Sequence, residues 1–477
     1  MMKEILTFLL IVLLPSLLVA QVNQTVQNRS VVFNRVTVID VTGAPSKSGM
    51  TVIITGNRIA AVSKSGKVKI PKDAQIIDAS GKFMIPGLWD MHVHSLFEGR
   101  TEIFFPMFIA NGVTGVRDLA SPLPLEQTNR LRREIEEGKI LGPRLGALTG
   151  NLLDGLGTPI TIAKTVTTAD EGRQFVKSFK QQGADFIKVY DLLPRNVYLA
   201  IVDEARRERI PFAGHVPFSM SATEVSDLGQ KSIEHSTDVF ISASHNEAEL
   251  RKELRNLSNP ALSNQTRNRI EIEAIENYDG RKADDLFARF VRNGTWLCPT
   301  LTARNATTVS DFAEISNDTR MKYIPFSVRE NWTNIFKQRI APIGNLEQRR
   351  KRFESHVELA GKMRRAGVSI LAGTDTGWAN PLTFAGFTLH DELALLVKSG
   401  FSPLEALQSA TLNPAKFLGL EKTLGTVEKG KAADLVLLDA NPLENIANTK
   451  KISAVIVGGR YLSKEKLEEM LRNTEAR

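Results

Sequence analysis

Two histidines one residue apart, His92 and His94 in "IPGLWDMHVHS", stand just after a Pro-Gly turn. In an extended strand alternate side chains share a face, so both imidazoles point the same way. Neutral imidazoles in a pair suit a borderline divalent ion such as zinc, yet two ligands do not make a site. The one cysteine, Cys298, excludes an intramolecular disulfide and a thiolate zinc cage, so further ligands must be histidines, carboxylates or a less usual donor. The candidates are Lys188 in "ADFIKVY", His215 in "PFAGHV", His235 in "SIEHST" and Asp375 in "ILAGTDT". Each closes an apolar, strand-like run.

Eight such runs follow one another: "FMIPGLWDMHVHS", "GVTGVRDLA", "PRLGALTG", "ADFIKVYD", "PFAGHVP", "SIEHST", "TWLCPTL" and "VSILAGTDTG". Amphipathic stretches such as "ADEGRQFVKSFKQQGA" and "RNVYLAIVDEARRERI" separate them. Apolar runs alternating with helices predict a parallel sheet with crossover helices, and eight of them over residues 84–422 predict an α/β protein built on a (β/α)8 TIM barrel. In that fold chemistry sits at the C-terminal strand ends, where all six candidates converge. Singly, His215 or His235 reads as a hydrogen-bonded core histidine, Lys188 as a lysine with its head in water and Asp375 as a turn residue. On successive strand ends, and using four of the seven histidines, they predict a metal site.

The flanks have a different texture. Within residues 21–83, "VVFNRVTVIDVTG" and "MTVIITGNRIAAVSK" alternate with period two, and the pattern returns in 423–477 with "LVLLDA" and "ISAVIVGGRYL". Both ends are expected to pair as short antiparallel strands in a small β-sandwich. The long connections 245–293 and 302–367 are charged and helical in pattern, fitting either lids over the barrel mouth or outer decoration. A chain of 477 residues exceeds one hydrophobic core, consistent with two units. The 61 Lys and Arg against 53 Asp and Glu are scattered, and "RRKR" at Arg349–Arg352 reads as a solvated helix face, so no nucleic-acid partner is expected. Residues 1–20, "MMKEILTFLLIVLLPSLLVA", read as a secretory signal that would make the protein secreted or periplasmic. Leu18 is larger than the usual residue before a cleavage site, so an uncleaved membrane anchor stays open. A homo-oligomer is the expected assembly.

The series formed by "HVH", Lys188, His215, His235 and Asp375 resembles the amidohydrolase superfamily, within its imidazolonepropionase-like and prolidase-like branch. "IPGLWDMHVH", "LVKSGFSPLEALQSATLNPAKFLGL" and "LGTVEKGKAADLVLLDANPL" carry the same resemblance, which extends from about Val31 to Tyr461. It implies two divalent metal ions, with zinc the expected metal for a site of nitrogen and oxygen donors. His92, His94 and Asp375 would hold one ion, His215 and His235 the other, and Lys188 would bridge both as an N6-carboxylated side chain, which requires its amine to be neutral first. A hydroxide shared by two metals would be the nucleophile, and Asp375 the general base and then the general acid. Tyr190, two residues after Lys188, is a candidate donor to the oxyanion.

Other polar residues read as structural. His245 and His356 fall in polar insertions and are expected at the surface, His390 begins a helix, and Arg117 with Asp118 is expected to form a supporting pair. The function expected is hydrolysis of a carbon–nitrogen bond in a small molecule or short peptide, such as a dipeptide or N-acyl amino acid. The Ser-Gly-Gly-type segment that prolidase-like relatives carry after the bridging lysine is replaced here by "KVYDLLPRNVY". Lactone or phosphoester hydrolysis by the same centre stays open, as does a non-catalytic, metal-free binding scaffold.

Overall fold

The computed structural model describes residues 29–256 and 260–476, so the signal reading of residues 1–20 lies outside the described residues. No described helix is long and apolar enough to cross a membrane.

Short strands, buried throughout or nearly so except at Ala163–Thr165, form the centre of the molecule. Leu88–Val93, Val113–Asp118 and Arg144–Leu148 make one parallel sheet. A second, six-stranded parallel sheet runs in the order Ala163–Thr165, Leu152–Asp154, Ile187–Val189, Phe212–Gly214, Ser232–Glu234, Trp296–Cys298. Seven of the eight expected runs thus become strands, in order, and give a TIM-barrel-like α/β arrangement. The eighth does not. It touches its neighbours through isolated bridges, Leu297 with Ile370 and Val93 with Thr376, helped by the Met91 N–H to Ala372 (2.9 Å) and the Asp375 N–H to His92 (2.8 Å). A regular ladder needs extended backbone, and Asp375 departs from it with φ at 58°. The strand positions therefore do not form one continuous closed sheet among the described residues. Leu152–Asp154 and Ala163–Thr165 were not expected either; Leu153 pairs with Val189, placing this extra strand beside the fourth.

Close approach of the strands is permitted by glycine. A Cβ on Gly373 would lie 2.5 Å from Cys298 Sγ and 2.9 Å from His92 Cβ, so the eighth run reaches both neighbours only because this position has no side chain. Helices cover the outside. Ala169–Gln181, for example, is opened by a capping box between Thr168 and Glu171 and buries Val176 and Phe179.

The two chain ends pair as expected, though as one mixed sheet of eight strands. Arg460–Ser463, Ile452–Val457, Leu435–Leu438, Phe83–Pro86, Val31–Val38, Lys47–Thr55 and Arg58–Lys64 lie in that order, with Gln75–Asp78 also on Val31–Val38. Val31–Val38 runs parallel to both Gln75–Asp78 and Phe83–Pro86, where antiparallel pairs were expected. Four strand spacings of a flat sheet would set Phe33 and Tyr461 about 19 Å apart. Their rings are 5.8 Å apart, so the sheet folds over on itself around Phe33, Val52, Ile54, Leu435 and Ile456.

The long connections become helices, including Glu247–Arg255, Pro260–Glu276 and Gly280–Asn293 in the first and Leu346–Arg365 in the second. Pro260–Glu276 and Leu346–Arg365 bring Arg267, Glu271 and Arg352 to a cavity that His215 and His235 also line. Pro260–Glu276 and Leu346–Arg365 thus stand beside the strand ends that carry His215 and His235.

Candidate metal centre

The alternation predicted for the first strand is realised at its end. His92 Nε2 and His94 Nε2 both face Asp375 Oδ1, at 3.3 and 3.2 Å. His235 Nε2 lies 4.0 Å from Asp375 Oδ2, and one ligand atom each of His92, His235 and Asp375 fall within 4.8 Å of one another. The His215 ring stands 4.9 Å from that of His235. Lys188, 1% exposed, acts electrostatically on His92, His94 and His215, and its Nζ has no hydrogen-bond partner among the described residues. The structure therefore brings all six candidates together.

Their orientation is set from behind. His92 Nδ1–H donates to Glu234 Oε2 (2.9 Å), and His215 Nδ1–H to Asp191 Oδ1 (2.7 Å). Thr300 spends its proton on the Pro299 carbonyl, so its Oγ1 accepts from His235 Nδ1–H at 2.6 Å. An imidazole that donates from Nδ1 keeps its Nε2 lone pair free for a metal. Three non-glycine residues take left-handed backbone here, His235 (φ 66°), Thr300 (φ 49°) and Asp375 (φ 58°), a conformation that costs about 1–3 kcal/mol each and clusters at functional sites.

Glu234 and Arg117 form an ion pair with both side chains fully buried. Arg117 Nη2 donates to both Glu234 oxygens at 2.9 Å, Nη1 to Ser232 Oγ at 2.9 Å and Nε to the Met91 carbonyl at 2.6 Å. The expected pair of Arg117 with Asp118 is absent. Asp118 instead accepts from the Ser95 and Leu96 N–H groups at 2.7 and 3.1 Å, which shapes the turn after the first strand.

Electrostatics follow from burial and these partners. Burial would raise the Asp375 carboxyl, but contact with the His92, His94 and His235 imidazoles holds it well below the usual carboxylate range, and of these three His94 is the one whose own proton affinity is raised, by Asp375. Burial likewise opposes ionised Glu234 and Asp191, and Arg117 for the one, Arg267 and His215 for the other, keep both ionised. Burial pushes His92 down to about 4, so its imidazole is neutral. Burial also pushes the Lys188 amine below its usual value. Tyr190 follows the strand Ile187–Val189, and its ring lies 4.0 Å from that of His215; burial raises its phenol, which stays protonated.

Two surface expectations are corrected. His356 is fully buried: its Nδ1 accepts from Ser236 Oγ (2.6 Å) and its Nε2–H donates to Glu271 Oε1 (2.5 Å). In "RRKR" only Arg350 and Lys351 are exposed, whereas Arg349 and Arg352 are buried and Arg352 pairs with Glu271. The carboxylate that makes this burial tolerable sits 81 residues away in sequence, on another helix. His245 is 69% exposed, near Asp279, and His390 is buried, its Nε2–H donating to the Asn111 carbonyl (3.0 Å) and its Nδ1 2.9 Å from Thr449 Oγ1.

Sequence reasoning missed Glu234, Asp191 and Thr300. Two of them had a signal, since Glu234 adjoins His235 in "SIEHST" and Asp191 lies three residues after Lys188 in "KVYD". A carboxylate at a strand end beside a ligand candidate suits the role of orienting a histidine.

The donor set fits divalent ions: three imidazoles with Nε2 facing an ionised carboxylate, a fourth imidazole, that of His215, beside them, and a buried amine with no hydrogen-bond partner. The sequence profile described as the amidohydrolase family matches residues 83–462. A 5-methylthioadenosine/S-adenosylhomocysteine deaminase of Moorella thermoacetica is 33% identical over 134 residues, 23% of this chain and 31% of that protein. An imidazolonepropionase of Thermoplasma volcanium is 36% identical over 91 residues, 19% of this chain and 22% of that one. The aligned segments thus span a third or less of these two curated relatives. Among solved structures, a Xaa-Pro dipeptidase with bound methionine in the active site superposes with a TM-score of 0.64 at 21% identity, over 91% of this chain and all of the other, a likeness of fold.

Proposed function

This chain belongs to the amidohydrolase family, and on that premise we propose that it is a metal-dependent hydrolase of carbon–nitrogen bonds in small amides or short peptides. One observation carries the reading: the Nε2 atoms of His92, His94 and His235 converge on an ionised Asp375 beside the unpartnered amine of Lys188. His92, His94 and Asp375 would hold one ion, His215 and His235 a second, and carboxylated Lys188 would serve both. Zinc is the proposed metal, for a site of nitrogen and oxygen donors. When bound, such ions acidify a water molecule and polarise the carbonyl under attack.

The protein's own groups do the rest. Asp375 is kept ionised by the histidines around it, so it can take the proton of the attacking water and return it to the leaving nitrogen. Water adds to the carbonyl carbon, the carbon–nitrogen bond breaks, and the products are a carboxylic acid and an amine. Tyr190, held against His215 with its phenol protonated, donates to the oxygen on which charge develops. Glu234, Asp191 and Thr300 fix the tautomers of His92, His215 and His235. Residues 1–20, read as a signal, would place this activity outside the cytoplasm.

The test is metal analysis of the purified chain with a hydrolysis screen of dipeptides, N-acyl amino acids, lactones and phosphoesters, run with and without chelator. Two metals per chain and chelator-sensitive cleavage of amides are expected. Fewer than one metal per chain, or hydrolysis indifferent to chelator, would refute the proposal. Asp375→Asn should lower kcat by about 10²–10⁴, the usual contribution of a positioned base, while metal is retained; near-normal turnover would remove it from that role.

A further inference from the structure

The cavity beside His215 and His235 holds about 200 Å³ and sets an apolar wall of Phe218, Ile241 and Leu254 against Arg267, Arg304 and Arg352. Its charges are unevenly committed. Arg267 is paired with Asp191, whose other oxygen accepts from His215. Arg352 is paired with Glu271, whose other oxygen accepts from His356. Asp238, also in the lining, is pushed up to about 7 by burial and has Arg251 3.6 Å away. Arg304 is different. It donates to the Thr237 hydroxyl at 2.7 Å, and its nearest carboxylate oxygen among the described residues, on Glu271, is 4.0 Å away.

A guanidinium offers five donors in a planar fork, and removing it from water without a close anion is costly. The Arg304 side chain is only 23% exposed, and burial lowers its affinity for its proton. The charges of Arg267 and Arg352 are already offset by carboxylates in direct contact with them, and that of Arg304 is not. Arg304 has an unfilled fork in the same cavity as two of the metal-site histidines. We propose that Arg304 is the specificity-determining residue that receives a carboxylate of the substrate, so that the preferred amides carry a free carboxylate on the part lodged in this cavity. The apolar wall of Phe218, Ile241 and Leu254 then takes the hydrocarbon portion of the same group. This assignment rests on the reading of the neighbouring centre as an amide-cleaving one.

Binding to the metal-loaded full chain separates the two claims, because it needs no turnover. Calorimetric titration with N-acetyl-L-leucine, N-acetyl-L-leucinamide and phenyl phosphate should show the carboxylate held at least tenfold more tightly than the amide, a difference of about 1.4 kcal/mol. Arg304→Gln should abolish that preference. Arg304→Lys, which keeps the charge and loses the fork, should retain only part of it and guards against a glutamine variant that does not fold. No preference in the native chain, no binding of either leucine probe, a preference that survives both substitutions, or tighter binding of phenyl phosphate would overturn the assignment. Carboxylate preference without metal-dependent hydrolysis would leave Arg304 as a receptor and refute the hydrolase reading.

Discussion

Replacing Glu234 tests how the centre is built, because this carboxylate serves two partners that fail in different ways. Its side chain is fully buried, accepts from Arg117 at 2.9 Å through both oxygens, and orients His92 through Nδ1 at 2.9 Å. Glu234→Gln removes the charge that offsets Arg117 and leaves one amide oxygen where two carboxylate oxygens now accept from Arg117 and His92. Breaking one side of a buried ion pair costs about 3–5 kcal/mol, and losing the group behind a metal-bound histidine costs about 10–100-fold in metal affinity. Urea denaturation of the metal-free protein and competitive metal titration measure the two losses separately. The double variant Arg117→Met, Glu234→Leu removes both charges, so stability should return to within about 1 kcal/mol of the native chain. Metal affinity should not return, since the acceptor for His92 Nδ1–H is still missing. A single variant that loses under about 1 kcal/mol, well below that range, or a double variant that binds metal like the native chain, would refute this division of labour.

Lys188→Met should stabilise the metal-free protein by about 1–3 kcal/mol, the cost of a buried unsatisfied polar group, while metal content falls sharply. A destabilised variant that still binds two metals would mean that the amine is structural. His390 is buried and pushed down to about 4 from 6.5, so its folded pKa is depressed and the unfolded chain binds the extra proton first. The stability it contributes is present above pH 6.5 and is lost as pH falls towards 4. The stability gap between the native chain and His390→Gln should therefore narrow by about 3 kcal/mol from pH 7 to pH 4, by denaturant titration at each pH. A gap independent of pH would show that His390 is not held neutral.

The sequence determined the ligand candidates and the strand order, and the reason is local. His92 and His94 share a face because strand side chains alternate, Lys188 lies within a short run that becomes a strand, and His215 and His235 each follow one. Amphipathic helices between those runs leave few arrangements other than a parallel sheet, so the rim could be placed before any contact was seen. Tertiary structure decided what lies behind and above the rim. Glu234 meets Arg117 across 117 positions, and Glu271 buries Arg352 and His356 from a helix 81 and 85 positions away, pairings that no local period encodes. Polar runs such as "RRKR" look solvated for the same reason: a charge can be buried wherever a distant carboxylate arrives to meet it. The curled terminal sheet and the irregular eighth run were hidden too, because curvature and a left-handed Asp375 arise from how strands close on one another and not from their composition. The residues that can bind metal were thus written in the chain, whereas the residues that orient them, and the arginine fork left open beside them, exist only once the helices stand beside the strand ends.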